Sequence, residues 1–311
     1  MNPSAQKQAG EDELDCLVIG GGPAGLTAAL YLGRFRRGVR VVDKGWSRAA
    51  WITNSHNLPG FPDGIAGPQL LDGLRVQARR YGAAIETGVV EDLSRGEDGV
   101  FTATVGARGL SARTVLLAGG VVERKPPVEH LAAAVMSGLI RTCPICDGYE
   151  SIGKRIGVLG VGEHAAREAL FLRTYTDRLS VLLMAADADV LSPDTRRALA
   201  DAGVAVAHVV IGGVRLGDDG VTVVETEDGA AHTFDLVYSA FGVTPQTALA
   251  AALGARMDSA GKLLVDEHQT TSVNGLFAAG DLVRGLNQIS VAEGEAAIAA
   301  TAIHNSLPSV S

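Results

Sequence analysis

LDCLVIGGGPAGLTAALYLGRFRRGVRVVD, residues Leu14 to Asp43, is the stretch that decides the fold. Its first six residues form an apolar run rich in β-formers and predict a buried strand. The run leads straight into a turn in which Gly20, Gly22 and Gly25 satisfy G-x-G-x-x-G. The apolar spacing of the next residues predicts a helix, and Val39 to Asp43 predicts a second strand. Asp43 lies 18 residues beyond Gly25, close to the spacing of an acid that binds a ribose hydroxyl. Strand, glycine turn, helix, strand and acid together form the βαβ dinucleotide fingerprint in its full context. The glycines let the backbone approach a pyrophosphate, and the helix N-terminus offers amide N–H groups and the positive end of a dipole. Cys16 falls inside the first strand, where a cysteine acts as a small core hydrophobe.

The unit recurs. From Lys154 the chain again reads strand, glycine turn, helix, strand, with Gly160, Gly162 and Ala165 giving G-x-G-x-x-A. Two such units predict two dinucleotides, or one dinucleotide and a relic of the second. Near the end, SVNGLFAAGDLV (Ser272–Val283) predicts a short strand followed by Asp281, and the alanine-rich spacing of NQISVAEGEAAIAATAIHNSL predicts a helix. An acid between strand and helix either reaches the hydroxyls of a ligand or caps the helix.

The totals narrow the function classes. At 311 residues, with 47% hydrophobic and 20% charged residues, the chain reads as globular and of more than one domain. A net charge of −8 and only short basic clusters argue against a nucleic-acid partner. The chain has no apolar stretch long enough to span a membrane, and its first residues are polar and acidic, unlike a signal peptide. The expected compartment is the cytoplasm, where a Cys-x-x-Cys is more often catalytic or metal-binding than structural.

A family resemblance rests on seven landmarks in order: GGGPAG, HNLPGFPDGI (His56–Ile65), LLAGG (Leu116–Gly120), CPICDGYE (Cys143–Glu150), LGVGEHAAREA (Leu159–Ala169), FAAGD and NQISVAEGEAA. With these the chain resembles the low-molecular-weight thioredoxin reductases, FAD-dependent disulfide oxidoreductases. The resemblance implies an α/β fold of two Rossmann-like, three-layer nucleotide-binding domains, the second inserted in the first. The FAD domain would take residues 1–123 and 246–311. The pyridine-nucleotide-type domain carrying the cysteine pair would take residues 124–245. It also implies a homodimer and a thioredoxin-like protein, or a small disulfide or dithiol, as partner. The FAD site implied is Gly20, Gly22, Gly25 and Asp43, with Asn57 near the flavin, Gly280 and Asp281 at the ribitol and pyrophosphate, and Gln288 and Ile289 at the pyrimidine end. Gly160 and Gly162 would serve the second nucleotide.

For Cys143 and Cys146 three roles compete. A structural zinc site wants four ligands, yet no second Cys-x-x-Cys exists and the seven histidines are scattered. A structural disulfide fits a cytosolic chain poorly. A redox dithiol fits: two intervening residues let the sulfurs close a small ring, and such motifs lower one thiol pKa. By resemblance Cys146 exchanges electrons with the flavin and Cys143 attacks the substrate. Asp147 would carry the proton that exchange requires; the competing role is a turn aspartate in Asp-Gly. Pro144 and Ile145 depart from the small residues common in the family.

The match weakens at the second nucleotide site. Where the family carries arginines for the 2′-phosphate of NADPH, this chain reads VLLMAADADVL, with Met184, Ala185 and Ala186 in the slot and Asp187 and Asp189 following. Glu163 is expected to crowd a pyrophosphate, and His164 stands where a serine is common. The donor, NADH or NADPH, therefore stays open, as do three overall readings: a disulfide reductase, a dithiol oxidase or other-donor enzyme with a non-functional NADPH site, and a flavin redox sensor.

Overall fold

The computed structural model describes residues 13–126, 128–184, 191–216, 222–227 and 229–309. Two compact units emerge. The first takes the chain up to Ile52, then Ala66–Val122 and Pro245–Ser311; the second takes Thr53–Ile65 and Glu123–Thr244.

The first unit opens with strand β1 (Leu14–Ile19), helix α1 (Pro23–Arg34) and strand β2 (Val39–Asp43). These are the elements expected from the opening stretch. Pro23 starts α1, where a missing N–H is no loss. Helix α2 (Gly67–Arg80) leads to β3 (Ala84–Thr87), β4 (Val90–Arg95), β5 (Phe101–Val105), β6 (Arg108–Leu117) and β7 (Val121–Glu123).

The second unit carries α3 (Leu131–Met136), β8 (Ile140–Arg141), α4 (Pro144–Asp147), β9 (Ile156–Gly160), α5 (Gly162–Leu172), β10 (Leu179–Met184), α6 (Pro193–Asp201), β11 (Ala205–Leu216), β12 (Thr222–Thr226), β13 (Ala231–Phe234) and β14 (Leu236–Ala240). Its sheet runs β13-β12-β11-β10-β9-β14-β8. Strands β8, β14, β9, β10 and β11 are parallel; β12 and β13 are antiparallel additions. One apolar cluster joins one face to α5 and α6 through Ala166, Leu172, Leu199 and Tyr238. The other face gathers Met184, Val209, Val224 and Phe234.

After β15 (Val243–Pro245), which pairs with β7, the first unit resumes with α7 (Ala248–Ala252), β16 (Leu276–Ala278) and α8 (Ile289–Ser306). Its sheet has the order β3-β2-β1-β6-β5-β4, and β16 adds to β6. The strands β3, β2, β1, β6 and β16 are parallel; β4 and β5 form an antiparallel flap. Near-continuous Val/Leu runs are the expected composition of strands covered on both faces. Helices α1 and α8 pack on one face through Ala28, Leu32, Ala296, Ala299 and Ile303. The alanines among them let the two helix backbones lie close.

Arg37 fastens the C-terminal turn to this layer. It is 7% exposed. Its Nε donates to Nδ1 of His304 at 3.0 Å, Nη1 to the Pro308 carbonyl at 2.8 Å and Nη2 to the His304 carbonyl at 2.9 Å. Removing a buried cation that satisfies this many acceptors leaves the acceptors orphaned. Arg37→Ala is therefore expected to lower unfolding free energy by about 2–4 kcal/mol, read as an earlier urea midpoint. An unchanged midpoint would contradict this account of the C-terminal turn.

Candidate functional site: a glycine-turn cradle and a cysteine pair

The first cradle is built where β1 ends. A Cβ on Gly20 would lie 2.3 Å from the Ala118 carbonyl oxygen, and one on Gly25 would lie 1.9 Å from the Gly20 carbonyl oxygen. The turn closes only because both side chains are absent. Gly22, by contrast, is uncrowded, its nearest neighbour being the Ser47 hydroxyl at 3.4 Å from an ideal Cβ. It is also the N-cap of α1 and supplies no side-chain cap, so the first N–H groups of that helix remain for a ligand. Asp43 ends β2 against this turn: a Cβ on Gly21 would fall 2.3 Å from its Oδ2. Its Oδ1 accepts from the Gly45 N–H at 3.0 Å, and Arg75 stands 3.7 Å from Oδ2.

Asp281 follows β16. It does not cap α8; its Oδ2 pairs with Nη1 of Arg48 at 3.2 Å. Gly280 has φ +86°, a conformation that favours glycine, and its N–H donates to Oε2 of Glu295 at 2.7 Å. Burial pushes the Glu295 carboxyl above its ordinary range, and burial pushes the Lys262 ammonium below its own. Lys262 Nζ donates to Asn287 at 2.6 Å. Gln288 is the N-cap of α8 and Ile289 its first residue. Arg48, Arg75, Lys262 and Glu295 were not singled out from the sequence. Nothing in their local spacing marks them, because each meets its partner only through the fold. A side-chain-free glycine turn, a helix N-terminus without a side-chain cap and a buried acid at the second strand end fit FAD.

The cysteine pair sits on α4. Cys143 and Cys146 form a disulfide with Cα atoms 5.3 Å apart. Cys143 is the N-cap of α4, and its carbonyl accepts the Cys146 N–H at 2.9 Å. The third cysteine, Cys16, is fully buried in β1, and burial pushes its thiol up to about 12. It is inert packing, as its strand position suggests. Among the described residues no His/Cys/Asp/Glu group could hold a metal ion.

Asp147 ends α4. Its Oδ1 accepts from the hydroxyl of Tyr238 at 2.7 Å, and Oδ2 lies 3.7 Å from Nη1 of Arg141, which also donates to the Asp147 carbonyl at 2.9 Å. Burial raises the affinity of this carboxyl for its proton; the Tyr238 hydrogen bond and the Arg141 charge oppose that rise. Asn57, expected near the flavin, lies in the Thr53–Ile65 segment. Its amide donates to the carbonyl of Ile145, between the two cysteines, at 3.3 Å.

The second glycine turn is equally tight. A Cβ on Gly160 would lie 2.3 Å from the Ala240 carbonyl oxygen, and Gly162 has φ +46°. Glu163 has partners that its sequence position does not show. Its Oε1 accepts from the Ser192 N–H at 2.7 Å and its Oε2 from the Thr195 hydroxyl at 2.6 Å. The carboxylate thus caps the start of α6, and the Ser192 backbone bond holds its pKa down. His164 pairs with Glu168 at 3.2 Å. Of the slot expected to read the 2′-phosphate, Met184 is buried at the end of β10, while Ala185, Ala186, Asp187 and Asp189 lie outside the described residues.

Comparison with known proteins finds relatives in sequence and in fold. The family model described as pyridine nucleotide-disulphide oxidoreductase matches residues 14–296. The thioredoxin reductase of Listeria innocua is 30% identical over 304 residues, covering 94% of this chain and 93% of its own. The crystal structure of HlmI is similar with a TM-score of 0.85 at 32% identity, covering 95% of this chain and 93% of that one. That of thioredoxin reductase from Streptococcus pyogenes has a TM-score of 0.86 at 27% identity, covering 95% and 98%.

Proposed function

Because the chain belongs to the pyridine nucleotide-disulphide oxidoreductase family, we propose that it passes electron pairs between a bound FAD and the Cys143–Cys146 pair, and from that pair to a disulfide substrate. It is a thioredoxin-reductase-like oxidoreductase. The single observation that carries the reading is the Cys-x-x-Cys disulfide followed directly by a half-buried acid. FAD, when bound, supplies a two-electron store that links the cysteine pair to a donor. Gly20, Gly22, Gly25, Asp43, Gly280, Asp281, Gln288 and Ile289 hold it in this reading, with Asn57 at the flavin.

The chain's own residues do the exchange. The Cys143 thiolate attacks one sulfur of the substrate disulfide; a mixed disulfide forms, the substrate S–S bond breaks, and the leaving thiolate takes the proton of Asp147. Asp147 then takes the proton of the Cys146 thiol. The Cys146 thiolate attacks the Cys143 sulfur, closes the Cys143–Cys146 disulfide and expels the second substrate thiolate, which takes that proton in turn. Two electrons and two protons have moved to the substrate, and solvent returns a proton to Asp147.

The substrate in this reading is a thioredoxin-like protein or a small disulfide, and the enzyme a cytoplasmic homodimer. These rest on the likeness to thioredoxin reductases. No helix among the described residues is long and apolar enough to cross a membrane.

The donor follows from charge. Ala185, Ala186 and Asp187 stand where arginines would grip a 2′-phosphate. Each charge-assisted contact missing costs NADPH about 1.5–3 kcal/mol, at least about tenfold in affinity. NADH has nothing to lose there. Gly160 and Gly162 would carry its pyrophosphate, and Glu163 bears equally on both nucleotides. Anaerobic flavin reduction against nucleotide concentration is expected to show NADH matching or exceeding NADPH. Tight saturation by NADPH with NADH far weaker would overturn this choice of donor.

A further inference from the structure

Parallel pairing of β8 with β14 sets Arg141 directly beside Tyr238. Both residues reach the same carboxyl. Tyr238 is fully buried, with its ring in the apolar cluster under α5. A buried phenol needs a partner for its hydroxyl, and the only acceptor bonded to it among the described residues is Oδ1 of Asp147, at 2.7 Å. Arg141, its side chain 16% exposed, lies against Oδ2 at 3.7 Å and bonds the Asp147 carbonyl at 2.9 Å. Two residues from two strands thus converge on the acid at the end of α4 that follows Cys146.

We propose that Tyr238 and Arg141 are positioning residues for the Asp147 carboxyl, fixing its orientation and setting the pH at which it yields its proton to a leaving sulfur. The proposal rests on the assignment of Asp147 as proton carrier made above. Tyr238 can hold Oδ1 in either state of the carboxyl, so the proton resides on the Oδ2 edge. Donation from the phenol and the guanidinium charge both favour the ionised carboxylate. Against them stand burial and the like charge of Glu150, on the short turn after α4. From the turn after α5 the neighbour is Tyr175, whose ring packs on Gly148. Burial leads, so the carboxyl's proton affinity stays raised, and the phenol and guanidinium limit that rise.

The test is reduction of the Cys143–Cys146 disulfide by dithiothreitol, followed by alkylation of the freed thiols and mass measurement, across pH. One dithiothreitol thiolate attacks Cys143, the S–S bond breaks, and the Cys146 sulfur leaves and takes the proton of Asp147. The second dithiothreitol thiolate then closes its own ring and frees Cys143. Both electrons arrive first on the two cysteines, where alkylation traps the thiols before the electrons pass to the flavin. Dividing each variant's rate by that of the unaltered protein at the same pH cancels the titration of the dithiol.

Tyr238→Phe keeps the ring and removes only the hydroxyl. Arg141→Gln removes the charge. Each raises the carboxyl's proton affinity, Tyr238→Phe by removing a hydrogen bond to the ionised form and Arg141→Gln by removing the neighbouring opposite charge, by about one pH unit. Asp147 acts here as an acid, so its activity falls as pH rises through its pKa, and a higher pKa keeps it active further into the alkaline range. The rate ratio is therefore expected to climb about tenfold from a low-pH plateau to a high-pH plateau in both variants. A structural role alone would lower the ratio equally at every pH. Such a flat ratio for both variants, with Asp147→Asn slow, overturns the positioning role and leaves Asp147 as the acid. Asp147→Asn at the full rate with the original pH profile overturns the assignment of Asp147 itself.

Discussion

Cys143→Ser and Cys146→Ser should each abolish turnover of a disulfide substrate while leaving the flavin bound. The loss is complete because exchange needs both sulfurs: without Cys143 no mixed disulfide forms, and without Cys146 the mixed disulfide is never resolved. Serine is close to isosteric, and neither sulfur belongs to the glycine-turn cradle of the first unit. The yellow colour and the melting temperature should therefore stay close to those of the unaltered protein. The roles are separable. With Cys146 assigned to the flavin, Cys143→Ser leaves a lone thiolate to interact with it and should produce a long-wavelength absorption band, absent in Cys146→Ser. The band in Cys146→Ser instead would reverse the two roles. Disulfide turnover retained in either variant would remove the pair from the mechanism.

Gly25→Val should lose bound FAD, by at least about tenfold in retained flavin. The added Cβ alone would sit 1.9 Å from the Gly20 carbonyl oxygen, closer than any real contact. The turn must open, and opening it moves the α1 N–H groups away from where a pyrophosphate would rest. The absorbance ratio of flavin to protein after purification reads the effect directly. Full flavin content in Gly25→Val would mean that the cofactor is held elsewhere.

How much of this was legible in the sequence depends on the distance over which each feature is encoded. The βαβ start was legible because strand period, glycine spacing and the acid at the strand end all fall within Leu14 to Asp43. The cysteine pair was legible for the same reason, being contained in one short helix. Partners brought together only by folding were not. Arg48 and Asp281 are 233 residues apart, Arg37 and His304 are 267 apart, and Asp147 and Tyr238 are 91 apart. No local pattern distinguishes these arginines from surface ones. Glu163 adds a partner the sequence did not show: the start of α6 supplies an N–H and a hydroxyl that hold its carboxylate. The grouping of Thr53–Ile65 with the second unit likewise depends on contacts made across the chain.

In the proposed function electrons pass between a bound flavin and the Cys143–Cys146 pair. The most direct measurement is the flavin absorbance of the purified protein during anaerobic addition of dithiothreitol, alongside Cys146→Ser. The account predicts a yellow protein whose flavin bleaches as the pair delivers electrons to it, and no bleaching on the same timescale in the variant. A protein that takes up no FAD, or flavin that bleaches equally fast without Cys146, would contradict it.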